Sequence, residues 1–223
     1  QNTVFSINSK KKIKQKNISY KYIFLLIKPD IFLKKTSHFK NFISQESKII
    51  SCMAGIKLIT ICNNLDHKNV IRIMPNVMAK QNKSQTFVFA KNKKILNSSF
   101  DKLIKSFGSI HYTSNEDQIN IATSIFGSGP AFIAYLIKSY IEAAKNLSKK
   151  NQLKDIDLIN LFHNVLSANQ NSKDLDFFLN SIASKKGTTQ AGVNFLKSQN
   201  INKIIYTTLD RAYKRAKEIG IDK

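Results

Sequence analysis

The sequence predicts an α/β domain with a mostly parallel sheet over residues 1–113, followed by an all-helical domain over 114–223. Three observations predict this. Short, apolar, β-rich runs recur through the first half, several of them stopping at Pro or Gly; helix-capable stretches lie between them; and the second half, from about Ser114, reads as helices without strand signals of that kind. Short buried strands separated by helices are the pattern of βαβ units.

The strands are read at 4–7, 22–27, 49–53, 70–74, 86–90 and 110–112, with helices at 32–43 and 100–107. Three of these runs end in Lys28-Pro29, Ala54-Gly55 and Met74-Pro75-Asn76. In an open parallel sheet, ligands bind outside the carboxyl ends of the strands, so these termini are where a cofactor is expected. Further on, Ser114 is a candidate N-cap with Glu116 and Asp117 in the first turn, and Pro130 suits a helix start. Residues 131–147 are apolar on nearly every face, which places that helix in a core or a subunit interface. The last helix is amphipathic, with Ile204, Ile205, Leu209, Ala212 and Ala216 among the residues of one face.

A hydrophobic fraction of 42% in 223 residues is enough to bury a core. The apolar runs at 22–27 and 132–137 are short against the roughly 20 residues of a membrane helix, so no membrane association is expected. No signal-peptide pattern is visible, and the chain opens with Gln1, as expected of a fragment or a processed form. Cys52 and Cys62 read as buried thiols, and the four histidines share no metal-ligand spacing. A reducing, cytoplasmic setting and no metal are expected. The net charge of +22 raises nucleic-acid binding as a class. Arginine occurs only at Arg72, Arg211 and Arg215, however, and nucleic-acid readers rely on it heavily, so a compositional excess of lysine accounts better for the charge.

Three segments could carry chemistry. Gly127-Ser128-Gly129-Pro130-Ala131-Phe132 is a tight break with free amides, or simply a helix-to-helix turn. Ser184-Lys185-Lys186-Gly187-Thr188-Thr189 leads into a helix, where amides, a glycine and hydroxyls suit a small carboxylate; its plain reading is an N-cap by Thr188 or Thr189. Arg72-Ile73-Met74-Pro75-Asn76 ends a strand, and Asn76 either orients a ligand or makes a turn.

Taken in order and spacing, these segments resemble the pyrroline-5-carboxylate reductase family along nearly the whole chain. Ile27-Lys28-Pro29 matches the family's V-K-P and Ala54-Gly55 its A-G; Arg72 to Asn76 match R-x-M-P-N, Gly127 to Phe132 match G-S-G-P-A-Y, and Ser184 to Thr189 match S-P-G-G-T-T with two changes. The resemblance implies a Rossmann-like domain, truncated here at its start, and an all-α dimerisation domain. It implies NADPH or NADH at Lys28, Pro29, Ala54, Gly55, Met74, Pro75 and Asn76. It implies that Ser184, Gly187, Thr188 and Thr189 hold the carboxylate of pyrroline-5-carboxylate, with Thr189 and Ser184 the catalytic hydroxyls, and that the product is L-proline. A homodimer, with the partner subunit completing the site, and in places a ring of dimers, is implied as well; no nucleic acid is.

The chain departs from the family pattern in four places. Gly55 is its first glycine, so the G-x-G-x-x loop that cradles a pyrophosphate is not in this sequence. Lys185-Lys186 replaces Pro-Gly where a positive φ favours glycine. Val77-Met78 replaces Thr-Pro, and Ser172 stands where the family has a glutamate. A non-catalytic remnant that keeps only the helical dimerisation domain is therefore the competing reading.

Overall fold

The computed structural model describes residues 19–148 and 153–219. The strand expected at 4–7 lies outside the described residues. Five strands form one sheet in the order β1-β2-β3-β4-β5: β1 (Tyr22–Leu25), β2 (Lys48–Ser51), β3 (Val70–Met74), β4 (Ser84–Phe89) and β5 (Gly108–Tyr112). The pairs β1–β2, β2–β3 and β4–β5 are parallel, while β3–β4 is antiparallel. The reversal has a local cause. Only residues 75–83 join β3 to β4, with a 3-10 turn at Val77–Gln81, and a parallel crossover needs a dozen residues or more.

Alternation along the strands divides the core in two. Ile49 and Val70 face one side with Leu25, Phe32, Leu58, Ile61 and Leu65, packed under α1 (Pro29–Lys34), α2 (Thr36–Lys40) and α3 (Leu58–Leu65). Ile50, Ile71, Ile73 and Val88 face the other, closed by Phe100 and Ile104 of α4 (Ser98–Lys105). A residue shift of one therefore moves a side chain between layers. The helix expected at 32–43 is broken into α1 and α2 at Lys35, where the Thr36 hydroxyl donates back to the Phe32 carbonyl at 2.9 Å.

Beyond Tyr112 the described residues are helical: α5 (Asp117–Ala122), a π turn (Thr123–Gly127), α6 (Gly129–Ser148), α7 (Asp155–Ala168), α8 (Ser172–Ile182), α9 (Thr188–Ser198) and α10 (Ile201–Glu218). The expected cap by Ser114 does not form: Glu116 takes the N-cap position of α5 without a side-chain cap bond, and the Asn115 side chain accepts from the Asp117 amide at 2.9 Å. Nor is the Gly127 to Phe132 segment a break. The Ser128 amide donates to the Thr123 carbonyl at 2.9 Å and the chain runs on into α6, so Pro130 occupies a first-turn position where no amide is needed. This continuity makes Asp117–Leu147 one 31-residue helix, long and apolar enough to cross a bilayer by length and composition alone.

The C-terminal half of α10 docks on α5 and the π turn. The Ser124 hydroxyl donates to the Leu209 carbonyl and the Tyr213 hydroxyl to the Asp117 carboxylate, each at 2.5 Å, and Ala216 is buried. The other helices bury little: Gly129 in α6, Leu158 in α7, nothing in α8 or α9. Of the two settings expected for residues 131–147, a core within this chain is not formed among the described residues.

Candidate active site

Because β1, β2 and β3 are neighbours and parallel, Lys28-Pro29, Ala54-Gly55 and Met74-Pro75-Asn76 lie side by side at one edge of the sheet. Pro29 opens α1, which leaves Lys28 exposed at the strand end. Gly55 has φ 75°, a conformation L side chains rarely adopt, and the Ile56 amide closes its turn on the Ala54 carbonyl at 2.9 Å. Asn76 acts as a cap: its side-chain oxygen accepts from the Met78 amide at 3.0 Å, and its side-chain nitrogen donates to Gln85 Oε1 at 3.2 Å.

The helical segment reaches this edge. Ile119 and Ala122 of α5 pack on Met74, and a Cβ placed on Gly127 would stand 3.7 Å from Met74 Sδ. The fold thus brings the Met74-Pro75-Asn76 and Gly127 to Phe132 segments together. Phe87 bridges Phe126 of the π turn and His111 of β5, with ring centroids 4.9 and 5.0 Å away. Desolvation pushes the thiol of the half-buried Cys52, just past β2, up to about 12.

The segment from Ser184 to Thr189 is a turn between α8 and α9. The Gly187 amide donates to the Ser184 carbonyl at 3.0 Å and Lys186 sits at φ 62°. A Cβ on Gly187 would come within 2.4 Å of Ser184 Oγ and 3.1 Å of its carbonyl oxygen, so a larger residue there would have to turn the Ser184 hydroxyl aside. Gly187 takes the N-cap position without a side-chain cap bond. The expected cap by Thr188 or Thr189 does not form, and the α9 terminus keeps its amides free of side-chain acceptors. Among the described residues, no hydrogen bond or ion pair joins this turn to the strand ends.

Residues 116–219 match the family model described as pyrroline-5-carboxylate reductase dimerisation. The chain is 33% identical to the pyrroline-5-carboxylate reductase of Staphylococcus saprophyticus over 206 residues, covering 89% of this chain and 74% of that protein. The reductase of Staphylococcus aureus gives 33% over 204 residues with the same coverage. The chain belongs to the pyrroline-5-carboxylate reductase family. Among solved structures, the Coxiella burnetii reductase aligns with a TM-score of 0.70 at 25% identity, over 89% of this chain and 76% of that one. The Plasmodium falciparum enzyme, solved with NADP bound, shares the fold with a TM-score of 0.77 at 23% identity, over 90% and 77%.

The matched dimerisation region contains the helices that bury least. Tyr135 is 70% exposed, Phe177 77% and Phe195 63%, and a homodimer is what such a domain points to. It also accounts for the apolar length of Asp117–Leu147.

Sequence reasoning missed the junction between the two regions. Arg72, in the middle of an otherwise apolar strand, is 1% exposed and pairs with Glu116 at 2.8 Å. Burial pulls its guanidinium below the ordinary value, and Glu116 opposes that shift. A charge inside a fully buried strand needs a partner, and that was the available signal. Asp117 is held below the usual carboxylate range, chiefly by the Tyr213 hydroxyl, with Asn120, Lys217 and Arg72 contributing.

Proposed function

We propose that this chain is a pyrroline-5-carboxylate reductase, transferring hydride from NADPH or NADH to pyrroline-5-carboxylate to give L-proline. The observation that carries the reading is the 33% identity to named reductases over 89% of the chain. The strand-end edge fits a dinucleotide: three adjacent parallel termini, a cation at Lys28 and a side-chain-free approach at Gly55. Lys28, Pro29, Ala54, Gly55, Met74, Pro75 and Asn76 would hold the cofactor, which when bound supplies the hydride.

The chain's own work is orientation and charge placement. The uncapped α9 terminus and the Ser184, Thr188 and Thr189 hydroxyls, with Gly187 between them, would hold the substrate carboxylate, and Thr189 would donate toward the ring nitrogen as it takes up its proton. The turn carrying these groups is exposed, so a partner subunit bringing its strand-end edge against it would complete the site.

A second reading, a non-catalytic member of the family, is favoured by one observation: Lys186 holds a left-handed conformation where the family pattern has glycine; its narrower form, in which only the helical dimerisation domain is kept, is overturned by the five-stranded sheet. Steady-state oxidation of NADPH dependent on pyrroline-5-carboxylate decides between them. The reductase reading expects turnover that falls about a hundredfold or more in Thr189→Val. A folded dimer without turnover supports the second reading.

A further inference from the structure

Helix α3 begins at Leu58, directly after the turn that carries Ala54-Gly55, and its N-cap residue is Lys57. Lysine has no acceptor, so this residue leaves the first-turn amides without the usual side-chain cap. The acceptor comes instead from a residue 58 positions further on: Glu116 Oε1 receives the Leu58 amide at 2.5 Å. The same oxygen receives Arg72 Nη1 at 2.8 Å, so β3 fixes the carboxylate that caps α3. Among the described residues, Arg72 Nε and Nη2 are buried with no protein hydrogen-bond partner, so Glu116 is the group that bonds this cation directly, with Asp117 acting on it from further off. The next residue, Asp117, is tied to α10 through Tyr213. A single carboxylate therefore joins the 54–57 turn, strand β3 and the helices of the dimerisation region.

We propose that Glu116 is a positioning residue for the cofactor, one that sets the Ala54-Gly55 turn from the helical region by capping α3 in place of Lys57. The proposal rests on the reading of the strand-end edge as the cofactor site. Without the carboxylate, the Leu58 amide loses its acceptor and the turn ahead of it loses its anchor. A glutamine at 116 keeps a neutral oxygen for that amide but leaves Arg72 without its ion-pair partner, as alanine does, and with only the more distant charge of Asp117. The two substitutions thus share the stability loss and differ in the cap.

The test is an NADPH titration of the complete dimer by fluorescence, beside amide exchange at Leu58, for wild type, Glu116→Gln and Glu116→Ala. The expected result is a Kd raised about tenfold in Glu116→Ala and less than threefold in Glu116→Gln, with melting temperatures lowered to a similar degree in both. Leu58 exchange should quicken in the alanine variant alone. Should loss of the Arg72 ion-pair partner prevent folding, the same pair is compared in an Arg72→Met background. Equal Kd values in the two variants, or faster Leu58 exchange with unchanged affinity, would overturn the positioning role. A wild-type dimer that binds no NADPH would overturn the cofactor-site reading and the positioning role with it, an outcome read from the wild type alone.

Discussion

The sheet region and the helices from α6 to α9 have comparable shares of apolar residues but opposite fates for them. Phe32, Ile49, Ile61, Ile71, Phe100 and Ile104 are fully buried, whereas Tyr135, Leu166, Phe177 and Phe195 are at least 60% exposed. The difference teaches that the two regions satisfy the hydrophobic effect at different levels. The sheet closes its core within one chain by placing helices on both faces, while the helices present apolar faces open to the homodimer that the matched dimerisation domain suggests. Between them lie Arg72, Glu116, Asp117 and Tyr213, whose contacts are polar and specific rather than extensive.

Substitutions of one kind in the two regions should break this comparison if it is wrong. Phe100→Ala empties a fully buried site and should cost about 3–5 kcal/mol of unfolding free energy whatever the protein concentration. Phe177→Ala, in α8, should cost under about 0.5 kcal/mol in a dilute monomer but weaken the dimer, so its denaturant midpoint should fall with dilution more steeply than that of the wild type. At the junction, Arg72→Ala should cost about 3 kcal/mol, the low end for breaking a buried pair because Glu116 is 27% exposed.

Smaller effects sharpen the account. Lys186→Gly relieves a left-handed lysine and should stabilise by up to about 1 kcal/mol, read by denaturant unfolding. The Asp117 carboxyl lies below its usual value in the folded protein, so the stability it contributes is present above the unfolded pKa of about 4 and is lost as pH falls through the lower folded value. Tyr213→Phe removes the chief cause of that depression and should flatten the acid limb of stability below about pH 4 by a few tenths of a kcal/mol.

Much of the fold was legible. Continuous β-rich runs ending in Pro29, Gly55 and Pro75 marked the three strands whose carboxyl ends adjoin, because a parallel strand is buried on both faces and must be apolar throughout. The positive φ at Lys186 was legible from the glycine it replaces. What escaped depends on partners distant in sequence or on connection length. The reversal of β4 follows from the short link at 75–83, which strand patterns alone do not weigh. The break at Lys35 depends on one Thr36 hydroxyl, and the π turn on a single shifted amide bond. Glu116 looked like a first-turn acidic residue, yet its carboxylate serves a helix 58 positions earlier, and local periodicity carries no trace of that. Asn76 read either as a ligand-orienting group or as a turn residue; its side-chain oxygen caps the turn that follows, and its side-chain nitrogen lies on Gln85.

Sedimentation equilibrium of the complete chain tests most directly whether the apolar helical faces are completed by a second copy. The account predicts twice the chain mass at micromolar concentration, reverting to the chain mass when Tyr135→Glu places a charge on α6. A wild-type chain that sediments as a monomer at that concentration, with those faces still open, would contradict it.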